Sequence, residues 1–90
     1  MIKKELVQQV AEQTGQTQKQ VKETLEIAFE VIKEAVAKDE KVSLVGFGVF
    51  EKRTRAEKRG TNPSNGEPMV IPATKIPYFR AGQAFKDQVK

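Results

Sequence analysis

The side chains that most catalysis relies on are missing. Among 90 residues there is no Cys and no His. That removes the thiolate nucleophile, the imidazole general base and the usual ligands of zinc and haem. The two serines, Ser43 and Ser64, do not sit in nucleophile-elbow spacing. No catalytic residue, metal, cofactor or small-molecule substrate is therefore expected, and a carboxylate or lysine enzyme is only a remote alternative. The groups with chemical potential are cations. Lys52, Arg53, Arg55, Lys58 and Arg59 form a block opposed only by Glu57, and Asn62-Pro63-Ser64-Asn65-Gly66 follows it. Two readings stand for such a block: a solvated face, or an anion-binding surface with nucleic acid first among its candidates.

The charge is polarised along the chain. The total is 16 Lys+Arg against 12 Asp+Glu, a net +4. Residues 1–45 carry 7 basic and 8 acidic side chains, or −1; residues 46–90 carry 9 and 4, or +5. Charged residues are 31% and hydrophobic residues 38%, too apolar for a disordered basic tail. Length allows one domain and excludes doubly wound nucleotide folds and barrels. A chain this short builds a thin core and usually adds a disulfide, a metal or a partner subunit. Without Cys or His, the partner subunit is the aid that remains. No apolar run approaches the ~20 residues of a membrane span, and Met1-Ile2-Lys3-Lys4-Glu5 turns polar too soon for a signal peptide. No membrane partner is expected, and the expected location is the cytoplasm.

The elements that must position the cations follow from periodicity. Leu6, Val7, Val10 and Ala11 recur on one face of a helix over roughly 3–13. Thr14-Gly15 ends it, because Gly tolerates the left-handed C-cap. Thr17-Gln18-Lys19-Gln20 fits a capping box opening a second helix at about 18–38. Val21, Leu25, Ala28, Phe29, Ile32 and Val36 make one apolar stripe on it, and Ile27, Val31 and Ala35 make a second. One small core needs only one stripe. The extra face therefore points to a second copy, against the alternative that helix 1 and the sheet cover both faces within one subunit.

From Lys41 the period shortens. Lys41–Val45 and Val49–Arg55 read as strands joined at Gly46-Phe47-Gly48. Gly-x-Gly with no glycine-rich helix start is no nucleotide loop. Phe47 and Phe50 read as core rather than as base-stacking platforms. Asn65-Gly66 is a hairpin signal. Pro68 and Pro72 exclude a central strand, since each removes a ladder donor. What results is a two-stranded ribbon of about nine or ten residues a side with its tip near 63–66, in which Met69, Val70 and Ile71 cannot all be buried. Such a ribbon alone is marginal in water, so it is either a mobile loop or an arm that orders on a ligand. Lys75–Arg80 reads as a return strand beside Val49–Arg55. Gln83–Val89 reads as a last helix with Ala84, Phe85 and Val89 inward.

Arm, charge and proline coincide. A basic ribbon has the dimensions of a DNA groove, and its cations would displace counterions from phosphates. Pro63 has two readings: a turn residue, or an apolar wedge of the kind that minor-groove binders insert between base pairs.

The ordered set Gly46-Phe47-Gly48-Val49-Phe50, Arg53-Thr54-Arg55-Ala56, Arg59-Gly60, Asn62-Pro63 with Gly66, Ile71-Pro72-Ala73, and Lys75-Ile76-Pro77 with Phe79 resembles the bacterial histone-like HU and integration host factor family over essentially all of residues 1–90. The resemblance implies an α+β fold: a helical base with a three-stranded antiparallel sheet extended into a β-ribbon arm, assembled as an intertwined dimer. It implies a helical dimerisation part at 1–40, sheet and arm at 41–80 with the arm at about 53–76, and a C-terminal helix at 82–90. Leu25, Phe29, Ile32, Phe47, Phe50 and Phe79 are the expected dimer core. Carried over by position, Arg53, Arg55, Lys58, Arg59 and Lys75 would contact double-stranded DNA. Asn62 and an intercalating Pro63 would form the tip, and Arg80 and Lys86 would extend the basic surface onto the body.

The expected function is that of a non-enzymatic, nucleoid-associated architectural protein. It would bind and bend duplex DNA through the minor groove as a homodimer with little sequence preference, compacting and stabilising the nucleoid. Bent or nicked DNA would be preferred. Minor-groove readout is degenerate, so selectivity would come from deformability. A sequence-selective bender like integration host factor is the near alternative, and an RNA-binding module the remote one. Against the family pattern, Thr61 stands where a basic residue is common, Asn65 where Thr is usual, Arg80-Ala81-Gly82 where Lys-Pro-Gly often precedes the last helix, and Ile2 where an Asn cap is common. Thr61 predicts a weaker electrostatic grip at the tip, and Asn65-Gly66 a tighter turn.

Overall fold

A computed structural model describes residues 1–90. The element order is α1 (Lys3–Thr14), α2 (Gln18–Ala37), β1 (Val42–Leu44), β2 (Gly48–Arg55), β3 (Lys58–Thr61), β4 (Pro68–Ile71), β5 (Thr74–Ala81) and α3 (Gln83–Val89). The chain packs as two units, Met1–Glu34 and Ala35–Lys90. No helix is long and apolar enough to cross a membrane.

In the first unit, α1 turns its apolar face inward. Val7 and Ala11 are buried with Val21 of α2, and Val10 and Leu25 pack against them. Gly15 caps α1 at φ 72°, its N–H donating to the Ala11 carbonyl at 2.9 Å. Ile2, at the other end, offers no side-chain cap. The capping box of α2 is complete. Gln20 N–H donates to Thr17 Oγ1 at 3.1 Å, and Thr17 N–H donates to Gln20 Oε1 at 3.2 Å. Two of the free donors of the helix start are thus satisfied reciprocally.

On the second stripe of α2, Ile27 and Val31 are each 59% exposed, while Ala35 is half-buried. Of the residues expected in a dimer core, Leu25, Ile32, Phe50 and Phe79 are half-buried, while Phe29 and Phe47 are exposed. Only Val7, Ala11, Val21 and Val36 are buried apolar side chains, a thin core for a single chain.

In the second unit, β1, β2 and β5 form an antiparallel sheet in the order β1-β2-β5. The β1–β2 turn closes through Phe47 N–H on the Leu44 carbonyl at 3.0 Å, with Gly46 at φ 83°. That is the positive φ a type II turn requires at its third residue. Phe47, Phe50, Phe79 and Phe85 gather into one aromatic cluster. Phe50 and Phe79 lie 4.8 Å apart between ring centroids, Phe47 and Phe79 5.0 Å, and Phe47 and Phe85 5.5 Å. These tilted and offset geometries suit the ring quadrupole. The inward reading of α3 needs correction. Phe85 is half-buried, but Ala84 is exposed and Val89 is 73% exposed. A helix of 7 residues makes two turns and presents only Phe85 to the cluster.

Beyond Arg55 the sheet continues as a two-stranded ribbon. β2 pairs with β5 from Gly48↔Ala81 to Arg55↔Thr74, and β3 pairs with β4 from Lys58↔Ile71 to Thr61↔Pro68. Both stretches keep the same register. The ladder lapses only at 56–57 and 72–73, where Pro72 has no N–H to give. The hairpin therefore runs without a bulge from Gly48 to Ala81. Pro68 is accommodated because a two-stranded ribbon has no central strand.

Candidate nucleic-acid interface

The tip is a four-residue loop rather than a two-residue Asn-Gly turn. A type I′ turn needs positive φ at both central residues, and here Gly66 (φ 72°) has it and Asn65 does not. Pro63 instead supplies the fixed φ of the second position of a turn that begins at Asn62. The loop is closed by Asn62 N–H to the Glu67 carbonyl at 2.8 Å and Gly66 N–H to the Asn62 carbonyl at 2.7 Å. Two side chains brace it. Ser64 N–H donates to Asn62 Oδ1 at 2.9 Å, and Glu67 N–H donates to Asn65 Oδ1 at 3.0 Å. Asn62 is thus half-buried under the loop while Pro63 stands exposed beyond it.

Register sorts the ribbon's charges. Successive residues of a strand point to opposite faces, and directly paired residues share a face. One face takes Phe50, Lys52, Lys58, Phe79, Lys75, Ile71 and Met69. The other takes Glu51, Arg53, Arg55, Arg59, Tyr78 and Arg80. All four arginines of the chain fall on the second face. The lysines share the first face with the aromatic cluster at the root and with apolar residues further out. Met69, Val70 and Ile71 are 40%, 53% and 49% exposed, as expected for side chains on a ribbon with no layer beneath it.

The cations differ in what they already hold. Lys52 donates from Nζ to the Ala37 carbonyl at the end of α2, at 2.8 Å, where a cation complements the helix dipole. It is a structural member of the basic block. Arg80 forms an ion pair with Glu51 (Nε–Oε1 3.5 Å), and Lys41 pairs with the same carboxylate at 3.7 Å. Arg53 lies over the Tyr78 ring, Cζ 3.4 Å from its centroid. Arg55, Lys58, Arg59 and Lys75 are exposed and take part in none of the chain's ion pairs. Lys86, in the last turn of α3, is exposed as well. The ribbon thus brings Arg53, Arg55, Lys58, Arg59, Lys75 and the Asn62–Pro63 tip onto one element. Arg80 lies at its root and Lys86 outside it, on α3.

The Arg53–Tyr78 stack and the Glu51 ion pairs were not readable from sequence. Tyr78 pairs with Glu51 and is the diagonal neighbour of Arg53, a relation that exists only once register is fixed. The one available signal was the odd–even spacing of the arginines.

Over residues 1–90 the chain matches the family described as bacterial DNA-binding protein. DNA-binding protein HU of Geobacillus stearothermophilus is 48% identical over 90 residues, 100% of both chains, and HU of Staphylococcus aureus (strain COL) matches to the same extent. A solved HU–DNA cocrystal structure from Anabaena superposes with a TM-score of 0.90 at 49% identity, covering 99% of this chain and 97% of that one. A mutant of HU from Thermotoga maritima superposes at 0.76 with 39% identity over 100% of both. With the match running end to end and relatives near half identical, this chain belongs to the bacterial DNA-binding protein family that includes HU.

Proposed function

We propose that the chain is an HU-type architectural protein that binds duplex DNA and bends it as a homodimer with little sequence preference. Each arm follows the minor groove and ends in a proline wedge. The location that fits is the cytoplasmic nucleoid, which the protein compacts and stabilises. Within the chain, residues 1–40 are the dimerisation part, 41–80 the sheet and arm with the arm at about 53–76, and 82–90 the C-terminal helix. The observation that carries this reading is the ribbon. Its register is continuous from Gly48 to Ala81, its outer cations have no partner in the chain, and Pro63 is exposed at its end.

The physics follows from those features. Arg53, Arg55, Lys58, Arg59 and Lys75 neutralise phosphates and release counterions. Pro63 fills an unstacked base step with a rigid ring that has no N–H to desolvate. Unstacking costs a few kcal/mol per step, offset by the contacts that bent DNA makes with the body. Arg80 and Lys86 extend the positive surface there. Discrimination comes from deformability rather than base edges. Leu25, Phe29, Ile32, Phe47, Phe50 and Phe79, none fully buried in one chain, form the shared core of the dimer.

The test is a gel-shift titration comparing linear, nicked and gapped duplex across salt, with sedimentation to fix the assembly. The expected result is a dimer that prefers nicked or gapped duplex and weakens steeply as salt rises. A monomer, or preference for single-stranded RNA over duplex, would overturn the proposal. Tight binding confined to selected sequences would replace it with a sequence-selective bender.

A further inference from the structure

We infer that Tyr78 is a positioning residue for DNA binding: it holds the Arg53 guanidinium flat at the root of the arm, so that its donors face outward before DNA arrives. The inference rests on the reading of the ribbon as the DNA-binding element and adds to it a residue that carries no charge.

The geometry is specific. Arg53 Cζ is 3.4 Å from the ring centroid, the separation of a stacked guanidinium rather than of an incidental contact. In a stack, one face of the guanidinium is covered and the N–H donors in its plane remain free. Tyr78 is itself fixed. It is half-buried, on the same face as Arg53, and lies beside Glu51, whose carboxylate is tied to Arg80 and Lys41. The ring is thus a platform rather than a mobile partner. Arg53 is exposed and forms no ion pair, so the ring alone among neighbouring side chains restrains its charged end.

The other cations of the arm lack such a platform. Arg55, Arg59 and Lys58 continue outward along β2 and β3, where the register partners Thr74, Val70 and Ile71 offer no aromatic ring. They are free to sample rotamers and to adjust to the groove. The arm is therefore graded from a preset arginine at the root to adaptable ones near the tip. Preorganising a side chain lowers the ordering cost on binding. A cation–π contact at an exposed site corresponds to about two- to fivefold in affinity per arm.

The experiment uses the full chain and a nicked duplex, with Tyr78→Leu, Tyr78→Phe, Arg53→Ala, Arg53→Lys and the double variant Tyr78→Leu with Arg53→Ala. Thermal unfolding of each variant controls for folding. Tyr78→Leu is expected to weaken binding by about two- to fivefold per arm while leaving the salt slope unchanged, because the charge is still present. Tyr78→Phe keeps the ring and should match the parent. Arg53→Lys keeps the charge but loses the planar stack, so it should weaken binding without lowering the slope. Arg53→Ala should lower the slope by about 1, and in that background Tyr78→Leu should add nothing.

The chain has one Tyr and no Trp, so tyrosine emission reports this ring alone. It should change in free Arg53→Ala and stay constant in Lys58→Ala. Additive losses from Tyr78→Leu and Arg53→Ala, or Phe as damaging as Leu, or an unchanged emission in Arg53→Ala, would overturn the inference and leave the DNA-binding reading intact. Failure of the parent chain to shift nicked duplex would overturn both.

Discussion

At Gly48 the turn, the aromatic cluster and the return strand converge. A Cβ there would lie 2.6 Å from the Arg80 carbonyl oxygen and 2.6 Å from the Phe79 ring. Neither the backbone of a strand paired to β2 nor a ring wedged among three others can give way cheaply. Gly48→Ala should therefore destabilise the fold by about 1–3 kcal/mol, as overpacking does, measured by denaturant unfolding at fixed protein concentration. Gly60 is the contrast, with open space where its Cβ would be and no positive φ, so Gly60→Ala should leave stability unchanged. On the proposed reading, Pro63 acts on the ligand rather than on the fold. Pro63→Ala should reduce the bend induced in intact duplex, read by energy transfer between duplex ends, more than it reduces affinity for duplex that is already kinked. Equal losses on the two substrates would remove the wedge.

At the scale of elements, the helices were legible almost to the residue because their signals are local. The Thr17/Gln20 box and the Gly15 cap need only neighbours within one turn. The body strands were legible as well, through the shift from a helical period to alternation after Lys41. The arm was legible in part. Its extent and basic character follow from composition, but its division by face does not, since that depends on which residue pairs with which. The tip lies at 63–66 as expected, but its turn type was not legible, for a related reason. Asn65-Gly66 signals a two-residue turn in isolation, yet Asn62 and Pro63 open a turn two residues earlier, and the side chains of Asn62 and Asn65 stabilise the longer loop. Val89 departed because helical periodicity gives a face without saying whether anything lies opposite it. The arm as an element predicts uniform behaviour of its outer cations. Arg55→Ala and Arg59→Ala should each weaken binding to all duplex sequences alike and lower the salt slope by about 1. An unchanged slope for either would place that side chain off the phosphates.

At the scale of the molecule, the net +4 of the chain is a near-neutral first half and a strongly basic second half. In the proposed homodimer the charge would double while the apolar surface would be hidden. The exposed stripe of Ile27 and Val31, with Phe29 and Phe47 open at 41% and 45%, is more apolar surface than a four-residue core can justify in a lone subunit. If the second copy supplies the rest of the core, folding and association are one equilibrium. The unfolding midpoint should then rise with protein concentration, checked by calorimetry over a hundredfold dilution series. Ile27→Glu should lower the midpoint and shift sedimentation toward monomer. A concentration-independent midpoint would mean that the single chain is stable with those side chains in water.

The unbroken register of the ribbon sets a rule for how the arm can change length. Pairing holds the same offset from Gly48↔Ala81 out to Thr61↔Pro68. Removing or adding two residues on each strand would shorten or extend the reach by roughly 7 Å and leave every distal side chain on its present side. Changing each strand by one residue at the lapse near Ala56 and Ala73 would turn Arg59 to the lysine side and Lys58 to the arginine side, though no residue outside the cut had been altered. Insertions and deletions in this arm are thus tolerated by parity before they are tolerated by size.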